Sequence, residues 1–193
     1  MTSSKTPLIL GIGGTLREGS STERALTVAL RAVEARGART RLLGGAFLAS
    51  LPIYNPASRE VTPAQEELAR AVSEADGIIV ASPGYHGSIS GVIKNTLDTL
   101  EALRGDPRPY FTDRAVGCVI TADGSQAAGT TLIALRSIIH ALRGWPTPYG
   151  AALNATSASF DADGNCVDPK DAWQLATVGD QVLDFALMKT RTA

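Results

Sequence analysis

Short apolar runs alternate along the chain with stretches whose apolar residues recur every three to four positions. That alternation predicts β-strands buried on both faces, separated by amphipathic helices. The predicted strands are residues 8–12, 39–43 and 77–81, a fourth within 114–121 and a fifth at 147–153. Residues 21–36 read as a helix with Ala25, Val28, Ala29, Ala32 and Val33 on one face and Gly37 as its stop. Thr62, Pro63 and Gln65 have the form of a capping box with proline at the first helical position, opening a helix to about Ala75. Ile93, Leu97 and Leu100 mark one face of a helix after the third strand; residues 129–143 are helical, and Asp168-Pro169 caps a last helix to about Met188. Two stretches lack periodicity: residues 44–61, with Pro52 and Pro56, the kind of segment that covers a site or a partner surface, and the polar loop 157–167. The expected architecture is one α/β domain over residues 1–193, a doubly wound five-stranded parallel sheet in the order 2-1-3-4-5 with helices on both faces.

In such a sheet ligands bind beyond the carboxyl ends of the strands where the strand order reverses, so the loops after strands one and three face one crevice. The third loop is the more distinctive. Ser82-Pro83-Gly84 reads as a fixed turn, and Gly87-Ser88 lets backbone amides approach a ligand unobstructed before the next helix opens. The first loop runs from Gly13 to Thr22. A dinucleotide fingerprint begun at Gly11 and Gly13 needs a third glycine where Leu16 stands, and a P-loop begun at Gly14 needs lysine where Ser20 stands. What remains is a set of hydroxyls, Arg17 and the positive end of a helix, which suits a single phosphate monoester. On the plainer reading Ser20, Ser21 and Thr22 only cap the helix and Arg17 is solvated. A phosphate cradle beside a planar slot describes a mononucleotide with a flat ring, and flavin mononucleotide (FMN) fits both halves.

The chain resembles the NADPH-dependent FMN reductases, which have a flavodoxin-like fold. The resemblance is carried by Gly14-Thr15-Leu16-Arg17-Glu18-Gly19-Ser20 and, more specifically, by the stretch from Ser82-Pro83-Gly84-Tyr85-His86-Gly87-Ser88 through Asn95-Thr96-Leu97-Asp98, and it extends from Leu8 to about the last helix. It implies phosphate contacts from Thr15, Arg17, Ser20 and Thr22, with Ser21 beside them. It also implies ring contacts from Pro83, Gly84, Tyr85, His86, Gly87 and Ser88, and a loop of Asp123, Gly124 and Ser125 along the ring's other edge. The chain departs from the family where it has Gly84 for a common glutamate, and His86 and Thr22 for common asparagines.

The implied activity is transfer of hydride from NADPH, or NADH, to FMN, and then reduction of a second acceptor such as free flavin, a quinone or an azo compound. The implied partners are that small-molecule acceptor, a flavin-dependent monooxygenase where reduced flavin is supplied, and a second copy in a homodimer or dimer of dimers. The protein would supply position, and FMN the chemistry. A one-electron carrier of the flavodoxin type is the alternative, but a net charge of -1 and a single aromatic, Tyr85, in the third loop argue against it.

Composition narrows the setting. Lys+Arg 18 against Asp+Glu 19 gives no basic field for nucleic acid or an anionic membrane. The two cysteines, Cys118 in an apolar run and Cys166 in a polar loop, make no disulfide framework. With a polar start that fits neither a signal peptide nor a membrane span, a cytoplasmic protein is expected. His140 in an apolar helical run and Trp145 before Pro146 read as structural, Lys94 and Asp98 as a surface ion pair on a helix that by resemblance could join a subunit interface, and no metal site can be assembled.

Overall fold

The structure is a computed structural model that describes residues 6–155 and 160–192. Its strands are β1 (Leu8–Gly13), β2 (Arg39–Leu43), β3 (Gly77–Tyr85), β4 (Ser88–Ile89), β5 (Ala115–Ala122), β6 (Trp145–Pro146) and β7 (Ala151–Asn154). The helices are α1 (Ser21–Ala35), α2 (Gly45–Ser50), α3 (Pro63–Glu74), α4 (Gly91–Thr99), α5 (Ser125–Ala141) and α6 (Pro169–Thr192), with a 3-10 turn, Leu100–Leu103, after α4. The central strands lie parallel in the order β2-β1-β3-β5.

The doubly wound parallel plan is the one expected, but the sheet has seven strands rather than five. Beyond β5 only the second half of the expected strand at 147–153 forms, as β7, and a separate β6 precedes that range; the two pair with opposite ends of β5. Pro146 and Pro148 have no N–H to give a ladder, and the intervening Thr147 turns its hydroxyl to the Tyr149 carbonyl at 2.8 Å. The other addition is β4, a two-residue return antiparallel to β3.

Side chains alternate across β3. Ile78 and Val80 enter one core with Leu10, Ile12, Cys118 and Ile120 under α3, α4 and α5, and Ile79 and Ala81 enter the other under α1 and α6. The α1 face is rotated from expectation: Leu26 and Leu30 are buried, whereas Val28 and Ala32 are only partly so. The capping box forms at Thr62, whose hydroxyl takes the Gln65 N–H while the Gln65 side chain takes the Thr62 N–H. Asp168 caps α6 by accepting from the Lys170 and Asp171 amides. Residues 44–61 are not wholly irregular, since α2 lies within them. After it the chain is tied to α4 by Asn95, which accepts from the Tyr54 N–H at 2.7 Å and donates to the Pro52 carbonyl at 3.0 Å. Within the loop 157–167, residues 157–159 lie outside the described residues.

At the amino-terminal edge of the sheet Arg114 is fully buried and spends its donors on carbonyls. Nε gives to Ala75 at 2.9 Å, Nη2 to Ser73 at 3.0 Å, and Nη1 to Tyr110 and Thr112 at 3.1 and 3.3 Å. It thereby closes the last turn of α3, which has no basic residue of its own there. Burial first, and Arg108 second, pull its pKa down from 12.5 to about 10, which leaves it charged at neutral pH.

Three smaller expectations resolve here. His140 is exposed in the last turn of α5 rather than packed, as suits a basic residue at a helix C-terminus. Trp145 is largely exposed and leans on Phe185 at 5.8 Å between ring centroids. Lys94 and Asp98 form the ion pair, at 2.6 Å. Among the described residues no helix is long and apolar enough to cross a membrane.

Candidate active site

The carboxyl ends of β1, β3 and β5 open into a cleft of about 690 Å³, a size typical of small-ligand sites. Loop one supplies Thr15, Arg17, Ser20, Ser21 and Thr22; loop three supplies Pro83, Gly84, Tyr85 and His86; Asp123 stands on the third wall. Ten of the predicted residues are thus brought together, although they come from three separate parts of the chain.

Loop one caps its helix and still leaves donors facing the cleft. Ser20 is the N-cap of α1, its Oγ accepting from the Glu23 N–H at 3.3 Å. Accepting uses no hydrogen, so the Ser20 O–H remains available to a ligand. The Ser21 and Thr22 amides belong to the open first turn of α1, where the helix dipole favours an anion. Thr15 is engaged locally, its hydroxyl accepting from the Arg17 N–H at 3.1 Å. The loop is braced by Glu23, whose Oε2 accepts from the Gly45 N–H at 2.6 Å and joins the starts of α1 and α2. Arg17 is exposed and, among the described residues, its guanidinium makes no ion pair. It is the one Arg or Lys lining the cleft.

Loop three differs from its predicted form. Ser82, Pro83 and Gly84 do not make a turn; they continue β3, and Pro83 is paired in register with Thr121 of β5. The turn comes two residues later. Tyr85 pairs with Ser88, leaving His86 and Gly87 as a two-residue hairpin loop with φ of 52° and 85°. Positive φ at both positions is the type I′ turn, whose favoured sequence is Asn-Gly. His86 holds this left-handed conformation at some cost, where an asparagine would hold it with less. Gly87 is required by its φ, which a side chain rarely adopts.

Gly84 has a different reason. A Cβ on it would come within 2.8 Å of both the Ala122 Cβ and Thr131 Oγ1. Ala122 and Thr131 of α5 fill the position, and a side chain as long as glutamate has no room there.

Three predicted residues do not line the main cleft. Gly87 and Gly124 face a neighbouring hollow of about 560 Å³ at the start of α5, and Ser88 lines neither. That helix begins at Ser125, four residues before the expected start at Gly129, because Gly124 serves as an N-cap without any side-chain hydrogen bond and so gives no capping signal in the sequence. Missed altogether were Thr121, Ala122, Ala127 and Ala155. Thr121 had one usable signal, its place at the carboxyl end of an apolar strand beside the switch point. Its hydroxyl lies 2.6 Å from that of Thr22, and the two side chains are both buried.

The sequence model of the NADPH-dependent FMN reductases matches residues 7–158. The chain belongs to that family. Among curated relatives, an FMN-dependent NADPH-azoreductase of Staphylococcus aureus is 30% identical over 132 residues, which span 67% of this chain and 66% of the relative. Among solved structures, the flavoenzyme NAD(P)H:(acceptor) oxidoreductase FerB of Paracoccus denitrificans superposes with a TM-score of 0.78 at 21% identity, covering 95% of this chain and 98% of that one. The apo form of an NADH:FMN oxidoreductase superposes with a TM-score of 0.73 at 23% identity, covering 95% and 90%. These two likenesses establish the flavodoxin-like fold. FMN is the family's cofactor, and the cleft passes a chemical test for it. At one end it offers a cation, a free hydroxyl donor and an open helix N-terminus for a dianionic phosphate. At the other, half-exposed Tyr85 and the Pro83-Gly84 backbone at the end of β3 suit a ring.

Proposed function

We propose that this cleft holds FMN and that the protein oxidises NADPH, or NADH, through it to reduce a small-molecule acceptor. The observation that carries the proposal is the convergence of the loop-one cradle and the β3 hairpin on one cleft at the carboxyl edge of the sheet, in a chain of the FMN reductase family. FMN, when bound, supplies the centre that takes hydride from the nicotinamide and gives electrons to the acceptor. The chain's own work is placement. Arg17, Ser20 and the first turn of α1 anchor the phosphate; Pro83, Gly84 and Tyr85 set the plane of the ring; the open front leaves one face for nicotinamide and acceptor in turn. No side chain in the cleft is assigned a proton transfer.

For the acceptor class we favour an azo compound, as the Staphylococcus aureus relative's name suggests, with a quinone as the second candidate. For assembly we favour a homodimer or dimer of dimers. The segment after α2, tied down by Asn95, carries Ile53 at 83% exposure and Val61 at 58%, apolar surface suited to a second copy. The test is to add FMN to purified protein, follow gel filtration with light scattering, and assay NADPH and NADH oxidation with and without a quinone and an azo dye. Acceptor-dependent NADPH oxidation is the expected result. FMN binding without nicotinamide oxidation would point to a one-electron carrier, and no FMN binding would overturn the reading.

A further inference from the structure

We infer that Thr121 forms with Thr22 a hydroxyl pair that donates one hydrogen bond to the phosphoribityl chain of FMN, which makes Thr121 part of the cofactor site. This rests on the reading of the cleft as an FMN site.

Thr22 is the second residue of α1 and Thr121 the next-to-last of β5; the pair bridges the end of β3, where Pro83 is in register with Thr121. Each side chain is 2% exposed and their oxygens are 2.6 Å apart. A hydroxyl carries one hydrogen and two acceptor sites. One hydrogen closes the pair, so the other must leave it. Among the described residues neither hydroxyl has another protein partner, unlike Thr27, Thr96, Thr99 and Thr130, which all give their hydrogens to helix carbonyls. Both residues line the cleft. A hydroxyl hydrogen that lines a cleft and has no protein acceptor is a donor held ready for a ligand oxygen.

Position selects which oxygen. Thr22 is the last residue of the phosphate cradle and Thr121 is in register with Pro83, where the ring wall starts, so the pair joins the two halves of the cleft. The part of FMN that spans that junction is the oxygen-bearing chain joining phosphate to ring. Lumiflavin, which has the ring and lacks the chain, is therefore the matched control.

The experiment titrates apoprotein with FMN and with lumiflavin by flavin fluorescence and measures the melting temperature of the apo form. The variants are Thr22→Val/Thr121→Val and Thr22→Ser/Thr121→Ser. Replacing both members of a buried pair by apolar groups of the same shape is close to neutral for folding, so the valine pair should melt within a few degrees of wild type. Its FMN affinity should fall about tenfold or more, one hydrogen bond's worth, with lumiflavin affinity unchanged. The serine pair, which keeps both hydroxyls, should stay within about threefold of wild type for FMN. Equal losses for FMN and lumiflavin would mean the pair only shapes the slot, and undiminished FMN affinity would mean it only ties α1 to β5; either result overturns the inference. Should the valine pair fail to fold, Thr22→Ala/Thr121→Ala is read by the same outcomes. Wild-type protein that binds no FMN would instead overturn the functional reading beneath it.

Discussion

Two arginines at opposite edges of the sheet use the same chemistry in opposite ways. Arg114, at the amino-terminal edge, is fully buried with its donors given to four backbone carbonyls. Arg17, at the carboxyl edge, is exposed and holds no ion-pair partner among the described residues. One guanidinium is spent on the fold's own carbonyls and the other is left over. Stability is concentrated where donors are consumed, and recognition where they are left, so substitutions at the two edges should separate folding from binding.

The largest effect is expected at Arg114. Arg114→Ala strips partners from the carbonyls of Ser73, Ala75, Tyr110 and Thr112. An unsatisfied buried group costs about 1–3 kcal/mol; with some of these reached by water, the variant should lose about 3–5 kcal/mol. Arg114→Lys should recover less than half of that, because an ammonium cannot present the same planar fork. Urea denaturation of the apo forms measures both, and FMN affinity of the folded protein should be unchanged. A loss under about 1 kcal/mol for the alanine variant would mean that solvent does the work assigned to the guanidinium.

Arg17→Ala should show the converse pattern. Apo stability should change by no more than about 0.5 kcal/mol. FMN affinity should fall by about 1.5–3 kcal/mol, the worth of a hydrogen bond to a charged group, and riboflavin affinity should hardly move. Calorimetry giving equal losses for FMN and riboflavin would remove Arg17 from the phosphate.

The carboxyl edge was the more legible of the two. The hydroxyls and Arg17 of loop one, and the glycine-rich third loop, are local patterns read within a dozen residues, and they do gather in one cleft. What escaped depends on partners distant in sequence. Thr121 looked like an ordinary strand residue because its meaning lies in Thr22, 99 positions away. Ser82-Pro83-Gly84 looked like a turn because the register with β5 that extends β3 cannot be seen from β3 alone. At the other edge Arg114 gave no signal at all, since a buried arginine and a solvated one are the same letter.

Gly84 links the two regimes, being a site residue fixed by packing. Gly84→Ala should cost about 1–3 kcal/mol of stability, an overpacking penalty against Ala122 and Thr131. Gly84→Ala/Thr131→Ser should recover little, because Ser keeps the hydroxyl that obstructs, whereas Gly84→Ala/Thr131→Ala should recover a measurable part. Thermal melts of the three variants decide it. Full tolerance of Gly84→Ala would show that α5 is free to move away from β3.

The smallest effect is expected at His86, and its sign is the informative part. A histidine in a cleft invites assignment as an acid or base, and a group in that role is typically worth about a hundredfold to ten-thousandfold in rate. Hydride transfer needs no proton in the same step, and the geometry gives His86 a different role. With φ of 52° it is the first residue of the type I′ hairpin that ends loop three. Asparagine adopts that conformation with less strain and is the preferred partner of the following glycine. His86→Asn should therefore raise stability by about 0.5–1 kcal/mol and change the rate of flavin reduction by NADPH by less than about tenfold, below the range of a true acid or base. Gly87→Val should go the other way. It puts a β-branched residue at φ of 85°, which should destabilise the hairpin and loosen FMN through the turn, Gly87 itself standing outside the lining of the main cleft. Stopped-flow reduction of bound FMN, paired with urea denaturation, separates the two. A roughly hundredfold slower reduction in His86→Asn at unchanged FMN affinity and undiminished stability would make His86 a participant in the chemistry, and the carboxyl edge would then hold a proton donor as well as hydrogen-bond donors.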